Sequence, residues 1–285
     1  DEKLLSDVSD KTIILKNKIF EPYALASFLS KNKTKKLGAG IITQKKKQSI
    51  IEKIMLWIRG NIFIPDARVF WVKPSVKYLK KYIQENNIET NVYLEDWSNG
   101  MRNSPEYVFQ FLEFLSTQPI KRVLLPDTLG VLIPSLTFEF ISKIREKYPN
   151  IHFDFHAHND YDLSIANVME AIKAGINGLH VTVNGMGERA GNAPLESTVA
   201  VINDYLPEVK IDIKETSLYT VSKLVETFTG YRIPANKPIV GDNVFTQTAG
   251  IHADGDNKNN LYFNDLLPER FGRKRKYALG KTSGK

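Results

Sequence analysis

From residue 91 onward the chain repeats one pattern: a short run rich in β-branched and aromatic residues, a polar turn, then a longer segment with apolar residues at helical spacing. The short runs fall at 91–95, 122–126, 152–156 and 178–183. Their starts are separated by about 30 residues, the length of one strand and its crossover helix. The intervening segments 106–116, 135–147, 163–174 and 194–205 predict amphipathic helices, the third with Ile165, Val168, Met169 and Ile172 along one stripe. Successive strand–helix units predict an α/β fold with a parallel sheet, either doubly wound or closed as a barrel. Before residue 90 the rhythm is weaker, with possible strands at 12–15 and 62–64 and a helix at 49–58. Four further units would need about 120 residues, more than this part of the chain holds.

Within a strand, side chains at i and i+2 share a face. Ile151, Phe153 and Phe155 therefore lie on one side of the third run, and His152, Asp154, His156 and His158 on the other. In a barrel the inward residues at the C-terminal strand ends build the site. Equivalent ends here carry Tyr93 and Glu95, Asp127 and Thr128, and His180, Thr182 and Asn184. A lone histidine is more often structural than functional, but His156 and His158 at i and i+2 offer two imidazoles on one side, the arrangement a divalent metal needs. Asn159 and Asp160 follow directly and can orient such ligands by hydrogen bonds. Asp127 and Thr128 could merely cap the next helix, but their place beside the other polar strand ends favours a site. The run Asn184-Gly185-Met186-Gly187-Glu188-Arg189-Ala190-Gly191-Asn192 ends just before Pro194. Its glycines alone would make a turn leading into a helix with proline at its start; the embedded Glu188, Arg189 and Asn192 favour a site loop.

Composition narrows the classes further. With 285 residues, 42% hydrophobic and 25% charged, the chain is an ordinary globular sequence, neither disordered nor collagenous. It has no apolar run near the length of about 20 residues that spans a bilayer, and its start, Asp1-Glu2-Lys3, has no signal-peptide character. A cytoplasmic, membrane-free protein is expected. The absence of cysteine excludes disulfides, thiolate ligands and a cysteine nucleophile. A net charge of +7 suits anionic substrates. The lysines at 35–36 and 45–47 lack aromatic interleaving or a reading motif, so they predict a solvated face and no nucleic acid.

Taken together, the strings H-x-H-N-D at 156–160, N-G-x-G-E-R-A-G-N at 184–192 and A-G-I-H-A-D-G at 249–255 resemble the DRE-TIM metallolyase superfamily. Within it they resemble the Claisen-condensing acyltransferases: the citramalate, isopropylmalate and homocitrate synthases. The resemblance covers about residues 91–285, and the segments 93–100 and 267–274 look most like citramalate synthase, with isopropylmalate synthase second. It implies a TIM (β/α)8 barrel with a divergent or incomplete first part over 1–90, a second half with the metal site over 91–206, and a small helical and loop extension over 207–285.

The same resemblance implies a divalent ion, zinc, magnesium or manganese, held by His156 and His158, with Asn192 as a further ligand. The implied reaction joins acetyl-CoA to a 2-oxo acid in branched-chain amino-acid (leucine and isoleucine) biosynthesis. Glu95, His252, Asp254 and Tyr262 match positions around acetyl-CoA and proton transfer. Thr128 matches a carboxylate-binding position, Leu261 a substrate contact, and Tyr93 a pocket wall whose bulk favours pyruvate over 2-oxoisovalerate. Family members are homodimers, with the post-barrel segment and Tyr262 serving the partner's site. The family's first-strand signature T-L-R-D-G-E-Q, which supplies an arginine and an aspartate ligand, has no counterpart in residues 1–90, and the sequence reaches Lys285 without the family's regulatory domain. The rival expectations are a catalytically impaired partial barrel and, with less in its favour, a generic metal hydrolase.

Overall fold

In a computed structural model, residues 69–259, 261 and 264–280 are described, together with Ser9, Thr12, Lys53, Trp57 and Ser283; for residues 69–71 this covers the backbone alone. The chain divides into two units, 1–88 and 89–285. In the first, α1 spans Val69–Glu85. Of the helix expected over 49–58, Lys53 and Trp57 are described and both are helical. Of the strand expected over 12–15 only Thr12 is described, in no regular element, and the strand expected over 62–64 lies outside the described residues.

The second unit follows the predicted rhythm. Strands β1 (Asn91–Tyr93), β2 (Arg122–Asp127), β3 (Phe153–Ala157) and β4 (Gly178–His180) form one parallel sheet in the order β1-β2-β3-β4. Helices α2 (Trp97–Asn103) and α3 (Pro105–Ser116) follow β1, α4 (Pro134–Lys147) follows β2, α5 (Ser164–Lys173) follows β3 and α6 (Leu195–Tyr205) follows β4. Local chemistry explains the boundaries. Pro105 and Pro134 open their helices where a missing N–H costs nothing, and Ser164 N donates to Asn159 Oδ1 at the start of α5. Helix α3 buries Val108, Leu112 and Leu115, one stripe at i, i+4 and i+7.

That stripe meets the outer face of the sheet. Val123, Leu125, Phe153 and Phe155 are almost wholly buried with Leu112, Ile141, Ile144, Val168 and Ala171. Each Val, Leu, Ile or Phe side chain among them contributes about 1.5–3 kcal/mol. The opposite face is polar and concave. Neighbouring strands lie about 4.8 Å apart, which on a flat sheet would separate β1 from β4 by roughly 14 Å, and side chains stand nearly perpendicular to the strands. Yet Tyr93 of β1 and His180 of β4 touch, phenol oxygen to Nδ1, at 3.2 Å. The sheet therefore curls around its polar face.

Strand β4 ends three residues before the expected 183. A 3-10 turn over Val183–Gly185 follows, with Asn184 and Gly185 at φ 62° and 67°, a left-handed pair that stops extension. Beyond α6 come α7 (Leu218–Thr229), α8 (Gly250–Asn257) and a two-stranded parallel sheet of β5 (Thr246–Gln247) and β6 (Lys276–Tyr277). A second core holds this extension to α6, joining Val199 and Ala200 to Leu218, Ile239, Val240 and Phe271. Among the described residues no helix is long and apolar enough to cross a membrane.

Candidate metal centre

His156 lies near the C-terminal end of β3, beside Pro126 and His180 in register. The chain then leaves the strand, and the glycine-rich loop zips along it. Ala193 N donates to Ala157 O at 3.0 Å, Asn159 N to Gly191 O at 2.9 Å, and His158 forms an antiparallel bridge with Asn192. Tight backbone approach requires glycine at 191, where φ is 84° and a Cβ would collide with the carbonyl oxygen of Gly185. Two imidazoles and one amide thus share a corner although Asn192 is far from β3 in sequence.

Their polar atoms are conspicuously idle. Nδ1 of His156, Nδ1 of His158 and Oδ1 of Asn192 are buried without a hydrogen-bond partner, a condition buried polar groups rarely tolerate. Asn192 Nδ2 donates to Met186 O at 3.2 Å, so the amide is oriented. The ring centroids of His156 and His158 are 5.0 Å apart, the planes at 81°. Two imidazoles sharing a tetrahedral ion at metal–nitrogen distances of about 2.0–2.1 Å place their centroids about 5 Å apart. Burial, then the neighbouring His158 and His180, keep the His156 imidazole below its ordinary pKa against a weaker pull from Glu95. A neutral imidazole is the ligating form. These residues fit a divalent ion. Among the described residues no group of three His, Cys, Asp or Glu side chains stands ready for a metal, so the third donor they offer is the Asn192 amide.

The surrounding strand ends are braced. Arg189 grips Asp160 through Nε at 2.8 Å and Nη2 at 3.0 Å, and Nη2 also donates to Thr128 O at 2.6 Å. The hydrogen bond from Arg189 holds the Asp160 carboxyl below its usual range. Asp127 is wholly buried and accepts from Val131 N and Leu132 N, each at 3.0 Å, so it braces the loop that leads to α4; the helix itself starts at Pro134 with no side-chain cap, and the expected capping role is not the one observed. Thr128 Oγ1 accepts from Asp96 N at 2.9 Å and keeps its own hydrogen to donate. Glu95 is exposed beyond β1, and Tyr93 is 54% exposed.

Sequence reasoning missed Glu196. It sits on the buried side of α6, 1% exposed, its Oε1 accepting from Asn184 N at 2.8 Å and its Oε2 unpartnered. Asn184 is tied in turn to Ser222, whose hydroxyl donates to Oδ1 and whose backbone carbonyl accepts from Nδ2. An acidic residue on an otherwise apolar helical stripe was the available signal. Burial pushes the Glu196 carboxyl up, over smaller opposing effects of the backbone and Lys237. A carboxyl whose folded-state pKa exceeds its unfolded value of about 4.3 stabilises most below that value, and the contribution is lost as pH rises through the folded pKa. Glu196→Gln is therefore expected to flatten the fall in stability between acid and neutral pH. Urea unfolding across that range checks this; an unchanged slope would count against it.

The C-terminal candidates lie on or near α8. His252 is exposed on it, Asp254 pairs with Lys258 at 2.7 Å, and Leu261 is 68% exposed, its backbone N donating to Gly255 O. The described bonds of Asp254 and Leu261 stay within this segment. Tyr262 lies outside the described residues.

Three relatives frame this geometry. The chain is 37% identical over 235 residues to a protein of Archaeoglobus fulgidus named a probable 2-isopropylmalate synthase, covering 79% of this chain and 46% of the relative. It is 38% identical over 205 residues to a Methanopyrus kandleri protein provisionally named an (R)-citramalate synthase, covering 72% and 40%. A homocitrate synthase of Sulfolobus acidocaldarius is 35% identical over 211 residues, with 74% and 44% covered. The chain spans less than half the length of each of these relatives. Residues 67–225, more than half of the chain and the part that carries the paired imidazoles and the glycine loop, match the family described as HMGL-like. The chain belongs to the HMGL-like (DRE-TIM) family.

Proposed function

We propose that the protein condenses acetyl-CoA with a 2-oxo acid at a divalent ion held by His156, His158 and Asn192. The observation that carries this reading is the trio of buried, unpartnered donor atoms on those residues. When bound, the ion supplies Lewis acidity to a keto carbonyl. The Thr128 hydroxyl, its oxygen already anchored by Asp96 N, donates to the oxo acid's carboxylate. A base drawn from Glu95, His252, Asp254 or Tyr262 takes a proton from the thioester's methyl group, whose carbon then bonds to the keto carbon while the keto oxygen gains a proton. Water cleaves the thioester and CoA leaves as the thiol. Such a base must reach the methyl before its pKa matters. Of these, Glu95, exposed just beyond β1, is supported by its electrostatic pull on the His156 imidazole. The relatives' names extend the proposal to amino-acid biosynthesis, and a homodimer would let α8 and Tyr262 serve a second subunit.

Tyr93 favours pyruvate as the oxo acid because its ring occupies space a branched side chain needs. Pocket discrimination at the scale of a methylene is about 10–200-fold, and the expected preference in kcat/KM lies in that range. Measuring CoA release with pyruvate and with 2-oxoisovalerate tests both levels. A preference for 2-oxoisovalerate overturns the substrate assignment, and no release with either acid removes the catalytic reading for this chain. One observation favours a second reading, a partial barrel that binds metal without turnover: residues 1–90 contain no T-L-R-D-G-E-Q string. Metal binding with no CoA release would establish it.

A further inference from the structure

Asp154, two residues before His156 on the same face of β3, is 2% exposed and has three neighbours on the concave wall. Arg122 Nη1 lies 3.3 Å away, His152 Nε2 2.9 Å and His180 Nε2 3.4 Å. Its position depends on Gly178, its register partner in β4, where any side chain would collide with the carboxylate. His180 turns its other nitrogen to Tyr93, with Nδ1 3.2 Å from the phenol oxygen. The Nε2–H tautomer serves both ends: Nε2–H faces the carboxylate and Nδ1 accepts the phenol hydrogen. The His180 ring also stands beside that of His156, centroids 6.0 Å apart, which brings the phenol to the edge of the metal centre. Tyr93 is more than half exposed, so packing alone does not hold its ring.

We infer that His180 and Asp154 are positioning residues that pin the Tyr93 phenol and thereby set the size of the 2-oxo acid side chain the site admits. The size-setting part rests on the proposed condensation, in which Tyr93 lines the oxo-acid pocket; the pinning does not. With His180 removed as acceptor, the phenol swings and the pocket loosens.

Two conservative variants of the chain, Tyr93→Phe and His180→Phe, keep a ring at each position and delete one end of the hydrogen bond. Each is expected to raise kcat/KM for 2-oxoisovalerate relative to pyruvate by about 10-fold, the lower end of methylene-scale discrimination. The gain should come through KM, and the double variant should do no more than either single one. Histidine-ring 15N NMR reads the pinning without turnover. The His180 Nδ1 resonance, assigned by its disappearance in His180→Phe, is expected to move in Tyr93→Phe. An unmoved resonance overturns the pinning. A moved resonance with an unchanged substrate ratio overturns the size-setting role. Absence of turnover by the wild-type chain with both acids defeats the proposed function and the size-setting with it, and leaves the pinning to be decided by the resonance.

Discussion

Replacing His156 and His158 together with alanine is expected to abolish divalent-metal binding. Zinc titrated into the wild-type chain should give a stoichiometric heat, and into the double variant none above that of dilution. Both Nδ1 atoms are buried and unpartnered, so the metal-free chain carries a standing desolvation cost that ligation relieves. Removing the rings takes away that cost and the binding together. The stability of the metal-free double variant should accordingly stay close to that of the metal-free wild type, while the two separate when metal is added. Free metal at 100 times its dissociation constant stabilises a folded chain by about 2.7 kcal/mol. That increment should appear in the wild type's unfolding midpoint and be missing from the variant's. Asn192→Ala, which leaves both imidazoles, should weaken binding without eliminating it. Equal metal affinity in wild type and double variant would remove the site assigned here.

Gly191→Ala is expected to destabilise the second unit by about 2–5 kcal/mol, from a left-handed penalty of about 1–2 kcal/mol and an overpacking cost of about 1–3 kcal/mol. Gly191 has φ 84°, and its added Cβ would strike a backbone carbonyl, that of Gly185, which cannot rotate away as a side chain could. The collision would push the loop off the end of β3 and weaken the bond from Asn159 N to Gly191 O, next to the bridge between His158 and Asn192. Gly230→Ala is the internal comparison: φ there is 71° and nothing lies within 4 Å of the new Cβ. It should cost the left-handed penalty alone, about 1–2 kcal/mol. Denaturant unfolding of the two variants isolates the collision, and equal losses would show that the loop yields freely. Gly191→Ala should also reduce metal affinity, whereas Gly230→Ala should leave it intact.

Hydrophobic spacing by itself determined the strand–helix rhythm of 91–205. The expected starts of β1 to β4 and α3 to α6 fall within one residue of those observed, because period 2 and period 3.6 are local properties that burial on one face enforces. The short α2, with its polar Ser98, Asn99 and Gly100, gave no such periodic signal. The pairing of His156 with His158 was legible for the same local reason, as was the division of β3 into an apolar and a polar face.

Long-range partnerships were not legible. Nothing near Asp127 in sequence separates a loop-bracing carboxylate from a capping or catalytic one; the fold does, by curling Val131 and Leu132 back to donate to it ahead of the helix. Glu196 stands out in sequence only as an acid on an apolar stripe, and its partner Asn184 is brought within reach by the fold alone. Tyr93 and His180 stand 87 positions apart, and only the curvature of the sheet brings phenol and imidazole together above a carboxylate that a glycine on the next strand leaves room for. Sequence determined which side chains face inward, since alternation along one strand is enough for that. Tertiary structure decided which of them meet, because a contact across non-adjacent strands depends on the curvature and register of the whole sheet.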